Sequence, residues 1–344
     1  SYLLGTVTLA VTTLLYWLMW LWQSPFWAWA LVSVALGLGF TFFTGAVEAW
    51  LVDALAATNY RGSLETVFGR AQIVSGISML SGSVLGGLLA QLTNLGVPFL
   101  VRAGILAVMI VVAGLLMRDL GFTPERGAGP VAAVREVMRA SWKHGFQQPA
   151  IRWVMIASPF TAGVGVYAFY ALQPYLLEVA GDDTAYALAG LAAAIFAGSS
   201  ILGGLLAPVV RRWVRRRTTV LIASVAVSSA VLVSFFFVDA LWLAIVLLAA
   251  WGLTTSVAQP AQRSYVNDMI PSQQRATVLS FQSLLGSAGG IGTQPALGRA
   301  ADLQGYGFSL MIGGVISAAA LPFLALSRAA RHPADTATTR GVDA

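Results

Sequence analysis

The sequence predicts an all-α fold: a polytopic bundle of membrane-crossing helices. Three observations predict it. Of 344 residues, 58% are hydrophobic and only 10% charged, where a soluble domain carries about 25% charged residues. Apolar runs recur along the whole chain, each about long enough to cross ~30 Å of hydrocarbon as a helix. Basic residues collect in alternate gaps between those runs, as membrane topology demands. A β-barrel, the other way to satisfy backbone in lipid, would show a two-residue alternation, and the runs show none.

Ten spans are expected, at about 2–22, 26–54, 70–92, 97–117, 150–177, 185–209, 218–238, 241–262, 276–300 and 307–327. The first begins at Ser1, inside an apolar run. Tyr2 to Trp22 is too long for a signal-peptide core and has no basic lead-in, so the chain is expected to have been cut upstream. Trp17, Trp20, Trp22, Trp27 and Trp29 crowd the first turn and suit an outer aromatic belt. The gaps at 55–70, 118–152, 211–217 and 263–275, with the tail from 328, hold 18 of the 20 Lys and Arg. The positive-inside rule puts these in the cytoplasm. The opposite gaps hold Glu178, Asp182, Asp183, Asp239 and Asp302.

The organisation expected is a half bundle at 1–117, a cytoplasmic linker at 118–149, a six-helix bundle at 150–327 and a cytoplasmic tail at 328–344. In the linker, Val131, Val134, Met138 and Trp142 recur at helical spacing among Arg135, Arg139 and Lys143. That pattern suits either a basic amphipathic helix on the inner leaflet or a solvated linker helix. A repeat crosses the linker. Asp53 is followed by Arg61 and a glycine-bearing span; Asp268 is followed by Arg275 and LSFQSLLGSAGGIGTQPALG. Parallel repeats of six spans are a recurrent transporter plan.

Several stretches carry a likeness. GAVEAWLVDAL (45–55), SGSVLGGLLA (81–90), YALQPYLLEVAG (170–181) and LGGLLAPVVRRWVRRRTTVLIAS (202–224) resemble, in order and in membrane side, segments of the major facilitator superfamily of secondary transporters. The resemblance covers essentially the whole chain. It implies a twelve-helix family plan of which this chain carries the third helix onward, the first two being absent. Two departures stand out: Ser83 occupies the place of a proline found in the drug antiporters' glycine motif, and the 211–217 loop lacks the family's frequent aspartate.

Glu48 is the first residue with chemistry. Gly37, Thr41, Thr44 and Glu48 share one helix face, and an ionisable group within a span is a functional candidate. Either it couples protons or meets a cationic substrate, or it is a structural glutamate paired with an arginine or wetted by a vestibule. Asp53 lies about 140° away on the helix and belongs to a different task. With Arg61 and Arg70, and with Arg263, Asp268 and Arg275 in the second half, it is expected to form an inner-face charge network. By resemblance such networks hold the outward-facing state; positive-inside decoration and helix capping are the plainer alternative.

Gly76, Gly82, Gly86 and Gly87, with Gly289 and Gly290, are expected at close helix crossings. Tyr167, Tyr170 and Gln173, and Trp251, Thr255, Gln259 and Gln262, are candidate cavity-lining residues together with Thr41 and Thr44. By resemblance they belong to cavity-lining helices. The alternative is aromatics at the lipid interface and amides bridging helices. Arg211, Arg212, Arg215, Arg216 and Arg217 around Trp213 suit contact with anionic headgroups rather than nucleic acid.

No cysteine is present and both histidines lie in polar segments, so thiolate metal sites and buried histidine relays are excluded. No cofactor or metal is expected. The function expected is alternating-access secondary transport of a small solute in the cell membrane, proton-coupled efflux of a hydrophobic or cationic compound first, metabolite uptake second. The chain is expected to act as a monomer and not as an enzyme; a non-transporting fragment or a polytopic membrane enzyme is the remaining alternative.

Overall fold

A computed structural model describes residues 2–58, 64–117, 146–270 and 275–336, and every regular element among them is helical. The helices are α1 (Tyr2–Leu21), α2 (Phe26–Ala57), α3 (Leu64–Leu92), α4 (Val97–Leu116), α5 (Pro149–Ala180), α6 (Tyr186–Trp213), α7 (Arg217–Ser234), α8 (Leu241–Met269), α9 (Arg275–Ala318) and α10 (Leu321–Ala329). Seven described stretches are long and apolar enough to cross a membrane. The last, Phe281–Ala329, has 49 residues, about 73 Å of helix, and is interrupted at Gln304 and Gly305. It holds two crossings. Phe26–Phe40 of α2 and Gly76–Leu92 of α3 are shorter apolar stretches within longer helices.

Two compact units form. In the first, α1 packs on α2 and α4. Gly39 of α2 admits Leu9 and Thr8 of α1, whose side chains would lie 3.1 and 3.2 Å from a Cβ there. Threonine hydroxyls on α1 donate back to the preceding turn, Thr6 to Tyr2 O at 2.9 Å and Thr13 to Leu9 O at 2.7 Å. Polar groups in lipid are thereby satisfied within the helix. Tyr16 stacks on Trp29 and meets Ser33 Oγ at 2.7 Å, tying α1 to α2 beside their turn. Trp22 and Trp27 are exposed there.

The second unit is built on α5. Pro149 at its start needs no N–H partner, and Gly181 (φ 67°) ends it in the left-handed region. Beyond it the Thr184 hydroxyl and N–H donate to Asp182 Oδ1 at 2.6 and 2.9 Å, holding that carboxyl below the ordinary carboxylate range. The most extensive helix pairing is α5 with α9. α6 packs on α8, where a Cβ at Gly203 would meet Ser256 Cβ at 2.5 Å. One core surrounds Tyr265, whose hydroxyl pairs with Ser327 Oγ at 3.1 Å; the other surrounds Tyr175, whose hydroxyl donates to Phe235 O at 2.8 Å.

The break in α9 is a chemical event. Gly305 has φ 84° and ψ 167°, a region essentially reserved for glycine. Glu178 Oε2 accepts from Tyr306 N at 3.0 Å, so a carboxylate from α5 caps the helix that restarts. A Cβ at Gly305 would sit 2.5 Å from Glu178 Oε1. Gly305→Ala is expected to cost about 1–3 kcal/mol from backbone strain, lowering the melting temperature in detergent. Melting equal to the parent chain's would show that the turn has another conformation.

Candidate functional site

A cavity of about 960 Å³ opens within the second unit. Its walls are the inner faces of α5, α7, α8 and α9, with Phe196 of α6 and Leu324 of α10. Phe169, Tyr170, Phe196 and Trp251 supply aromatic surface; Gln259, Gln262, Gln282 and Gln294 supply carboxamides. Serines and threonines from several helices, among them Ser158, Thr161, Ser224, Ser228, Thr255 and Ser317, add hydroxyls. No Asp, Glu, Lys, Arg or His is among the described lining residues. Phe196 lies 5.1 Å from Phe169 and 5.3 Å from Trp251, ring centre to ring centre. The aromatic wall is thus continuous.

Most hydroxyls in this wall are engaged. Ser224 donates to Thr254 O at 2.9 Å, and Thr255 to Trp251 O at 2.9 Å. Ser228 differs: it is 7% exposed, and its Oγ has no hydrogen-bond partner among the described residues. A buried polar group without a partner costs about 1–3 kcal/mol.

Tyr170, Trp251, Thr255, Gln259 and Gln262 line the cavity. Tyr167 and Gln173 do not, which corrects the expectation. The cavity face of α5 follows Val154, Ser158, Thr161, Gly165 and Phe169. Tyr167 stands two residues from Gly165 and from Phe169, about 200° round the helix. Its hydroxyl instead donates to Leu297 O at 3.2 Å and meets Ser309 Oγ at 2.7 Å, bracing α5 against α9. Gln173 folds back on Phe169 O at 3.5 Å. Ser228, Gln282 and Gln294 were missed, because they lie on helices whose polar residues show no single stripe.

The charge network also differs from expectation. Asp268 is paired with Arg217, Nη1 to Oδ2 at 2.6 Å, with side chains 46% and 3% exposed. Arg217 also donates to Ala334 O at 3.0 Å. Arg263, expected beside Asp268, reaches Gln259 Oε1 at 3.4 Å instead. It stands five residues from Asp268, hence about 140° away on the helix. Asp335 caps α7, accepting from Thr218 N at 2.8 Å and Thr218 Oγ1 at 2.9 Å. Further along the same segment, the His332 ring and the Gln148 carboxamide meet at 3.0 Å. The C-terminal segment is therefore fastened to the arginine-bearing ends of α7 and α8. Spacing could not have paired Arg217 with Asp268, 51 residues apart.

Gly289 and Gly290 lie at the crossing of α5 and α9: a Cβ at Gly289 would run into the Pro159 backbone, and one at Gly290 would sit 3.6 Å from Gly163 Cα. Open space lies where Gly82 or Gly86 would carry a Cβ, so neither stands at a close crossing among the described residues, contrary to expectation. Gly76 and Gly87 are half-buried. The side chains of Thr41, Thr44, Glu48, Asp53, Arg70 and Arg275, and the residue Arg61, lie outside the described set, as does the linker helix expected within 118–145. The helix that carries Glu48 is described: Glu48 stands 22 residues after Phe26, about 33 Å along the axis.

The sequence profile of the Major Facilitator Superfamily matches residues 1–294. The chain belongs to that family. A comparison with curated proteins finds no match. Solved structures with a similar fold include a point mutant of the nucleoside transporter NupG, with 14% identity, 94% of this chain and 82% of that one covered, and a TM-score of 0.72. A POT family transporter in complex with a thioalcohol-conjugated peptide shares 14% identity over 96% and 82% of the two chains, with a TM-score of 0.68. A bacterial homologue of the human lysosomal transporter Spinster, inward-facing and unoccupied, shares 15% identity over 96% and 82%, with a TM-score of 0.58. This superfamily member is accordingly a multi-pass membrane transporter of small molecules, not an enzyme.

Proposed function

We propose that this transporter moves a small, uncharged, amphipathic solute by alternating access, the solute resting against the aromatic and carboxamide wall of the second unit. The observation that carries the reading is the neutrality of a 960 Å³ cavity rich in hydrogen-bonding groups. Aromatic faces take apolar surface, and carboxamides offer donor and acceptor together. A cationic substrate would need a carboxylate, which this wall lacks among the described residues; Glu48 would then be its counter-ion. The proposal extends to proton coupling through Glu48 and to efflux as the direction. Uptake is the alternative, and the sign of the flux decides between them. The basic gaps favour the cell membrane with the 118–149 linker and the tail in the cytoplasm, and the proposal takes the chain to act as a monomer.

The test is a flux screen of neutral amphipathic and cationic compounds, using full-length protein in proteoliposomes with an imposed pH gradient. Glu48→Gln is expected to abolish pH-driven accumulation while sparing downhill exchange. Undiminished accumulation would exclude Glu48 as the coupling group. Gln262→Leu removes one hydrogen-bonding group from the wall and is expected to raise the half-saturation concentration about tenfold. A substrate set consisting only of cations, with Gln262→Leu unchanged, overturns the neutral-solute reading.

A further inference from the structure

The arginine-bearing turn between α6 and α7 encloses a second cavity, of about 850 Å³. It is separate from the solute wall: the two share no lining residue. Its polarity is graded. At the helix ends stand Arg211, Arg212, Arg215 and Arg217; deeper lie Gly204, Ala207, Val257 and Ala261 of α6 and α8. From Arg212 to Gly204 along α6 is about 12 Å, most of the way through one ~15 Å leaflet of hydrocarbon.

Two of the arginines are structurally occupied. Arg217 is held by Asp268 and Ala334 O, and Arg211 Nη1 donates to Arg215 O at 2.7 Å. Arg212 and Arg215 are exposed, and among the described residues no carboxylate lies within ion-pair range of either. Both carboxylates nearby are engaged, Asp268 by Arg217 and Asp335 by Thr218. Four guanidinium groups against two carboxylates leave the rim net positive. Trp213, between the two outer arginines in sequence, is 86% exposed, as a side chain at headgroup level is.

We propose that this cavity is a binding site for one anionic phospholipid, its phosphate on Arg212 and Arg215 and the upper part of its acyl chains in the Ala207–Val257–Ala261 groove. A guanidinium fork matches phosphate geometry. Charge at the interface with apolar depth towards the membrane centre is the profile of a lipid. A soluble phosphate would use only the rim. The site depends on the chain's being embedded in a membrane and not on what solute it carries. Because the floor touches α6 and α8 and the rim includes Arg217, an occupied site stiffens the same helix ends that the C-terminal segment clasps.

Native mass spectrometry and thermal melting of the full-length protein in detergent test this, with phosphatidylglycerol, phosphatidylcholine, glycerol 3-phosphate and inorganic phosphate as separate additions. One phosphatidylglycerol is expected to stay bound and to raise the melting temperature saturably, phosphatidylcholine doing neither. The double variant Arg212→Gln/Arg215→Gln is expected to bind phosphatidylglycerol about thirtyfold more weakly. Gly204→Leu, which enters open space in the groove and leaves the rim intact, is expected to weaken it too. Both outer arginines are exposed, so the double variant keeps its fold; its melting without lipid checks that. Equal stabilisation by glycerol 3-phosphate or inorganic phosphate, untouched by Gly204→Leu, would make this a soluble-anion site and overturn the proposal. Unchanged lipid retention in the double variant would overturn it as well.

Discussion

Asp268→Ala is expected to destabilise the protein more than removal of its partner does. Asp268 is nearly half-exposed, whereas Arg217 is almost wholly buried, at the start of α7. Deleting the carboxylate leaves a buried guanidinium with only the Ala334 carbonyl as a described partner. Breaking a buried pair this way costs about 3–5 kcal/mol. Arg217→Met leaves a carboxylate that water can reach, and methionine keeps much of the buried stem; its cost is about 1 kcal/mol for the pair and about 1 kcal/mol for the bond to Ala334 O lost with it. The melting temperature of Asp268→Ala should therefore fall further. Limited proteolysis should release the C-terminal segment sooner in Arg217→Met, which deletes the bond to Ala334 O, than in Asp268→Ala, which keeps it. Equal melting of the two variants would mean that the pair is hydrated on both sides.

Gly289→Val should have the larger effect on assembly. A Cβ at Gly289 enters the backbone of Pro159, and one at Gly163 would lie 2.7 Å from Gly290 Cα. These are main-chain contacts, with no flexible side chain to yield. Overpacking a tight core costs about 1–3 kcal/mol even when side chains can move; here two helices must separate. Gly163 and Gly286 also line the solute cavity, so transport should fail along with folding. Gly292→Ala is the control. Open space surrounds its would-be Cβ, and alanine is the better helix former by about 1 kcal/mol. It should fold as well as the parent or better. Monodisperse Gly289→Val with parental melting would refute the crossing.

The two cases differ in how far the sequence announced them. Gly289 and Gly290 stood out because glycine pairs in an apolar span have few uses other than close approach. Gly82 and Gly86 form such a pair too, yet no described residue lies close to where their side chains would be, so spacing does not say which face meets a neighbour. Trp251, Thr255, Gln259 and Gln262 lay on one stripe of α8 and all reach the cavity. On α5 Tyr170 reaches the cavity while Tyr167 of the same stripe does not, since a hydroxyl can serve the core as well as a solute.

Hydrophobicity, run length and the side on which arginines fall are local sums, and the bilayer acts on each span separately. The sequence by itself therefore determined the class, the approximate spans and the family. Pairing is not a local property. That Arg217 rather than Arg263 meets Asp268, that Asp335 caps a helix 117 residues earlier, and that Glu178 caps the restart after Gly305 depend on which helix ends pack side by side. Only the tertiary structure decided those, because a contact's energy is set by distance in space and the sequence records only distance along the chain.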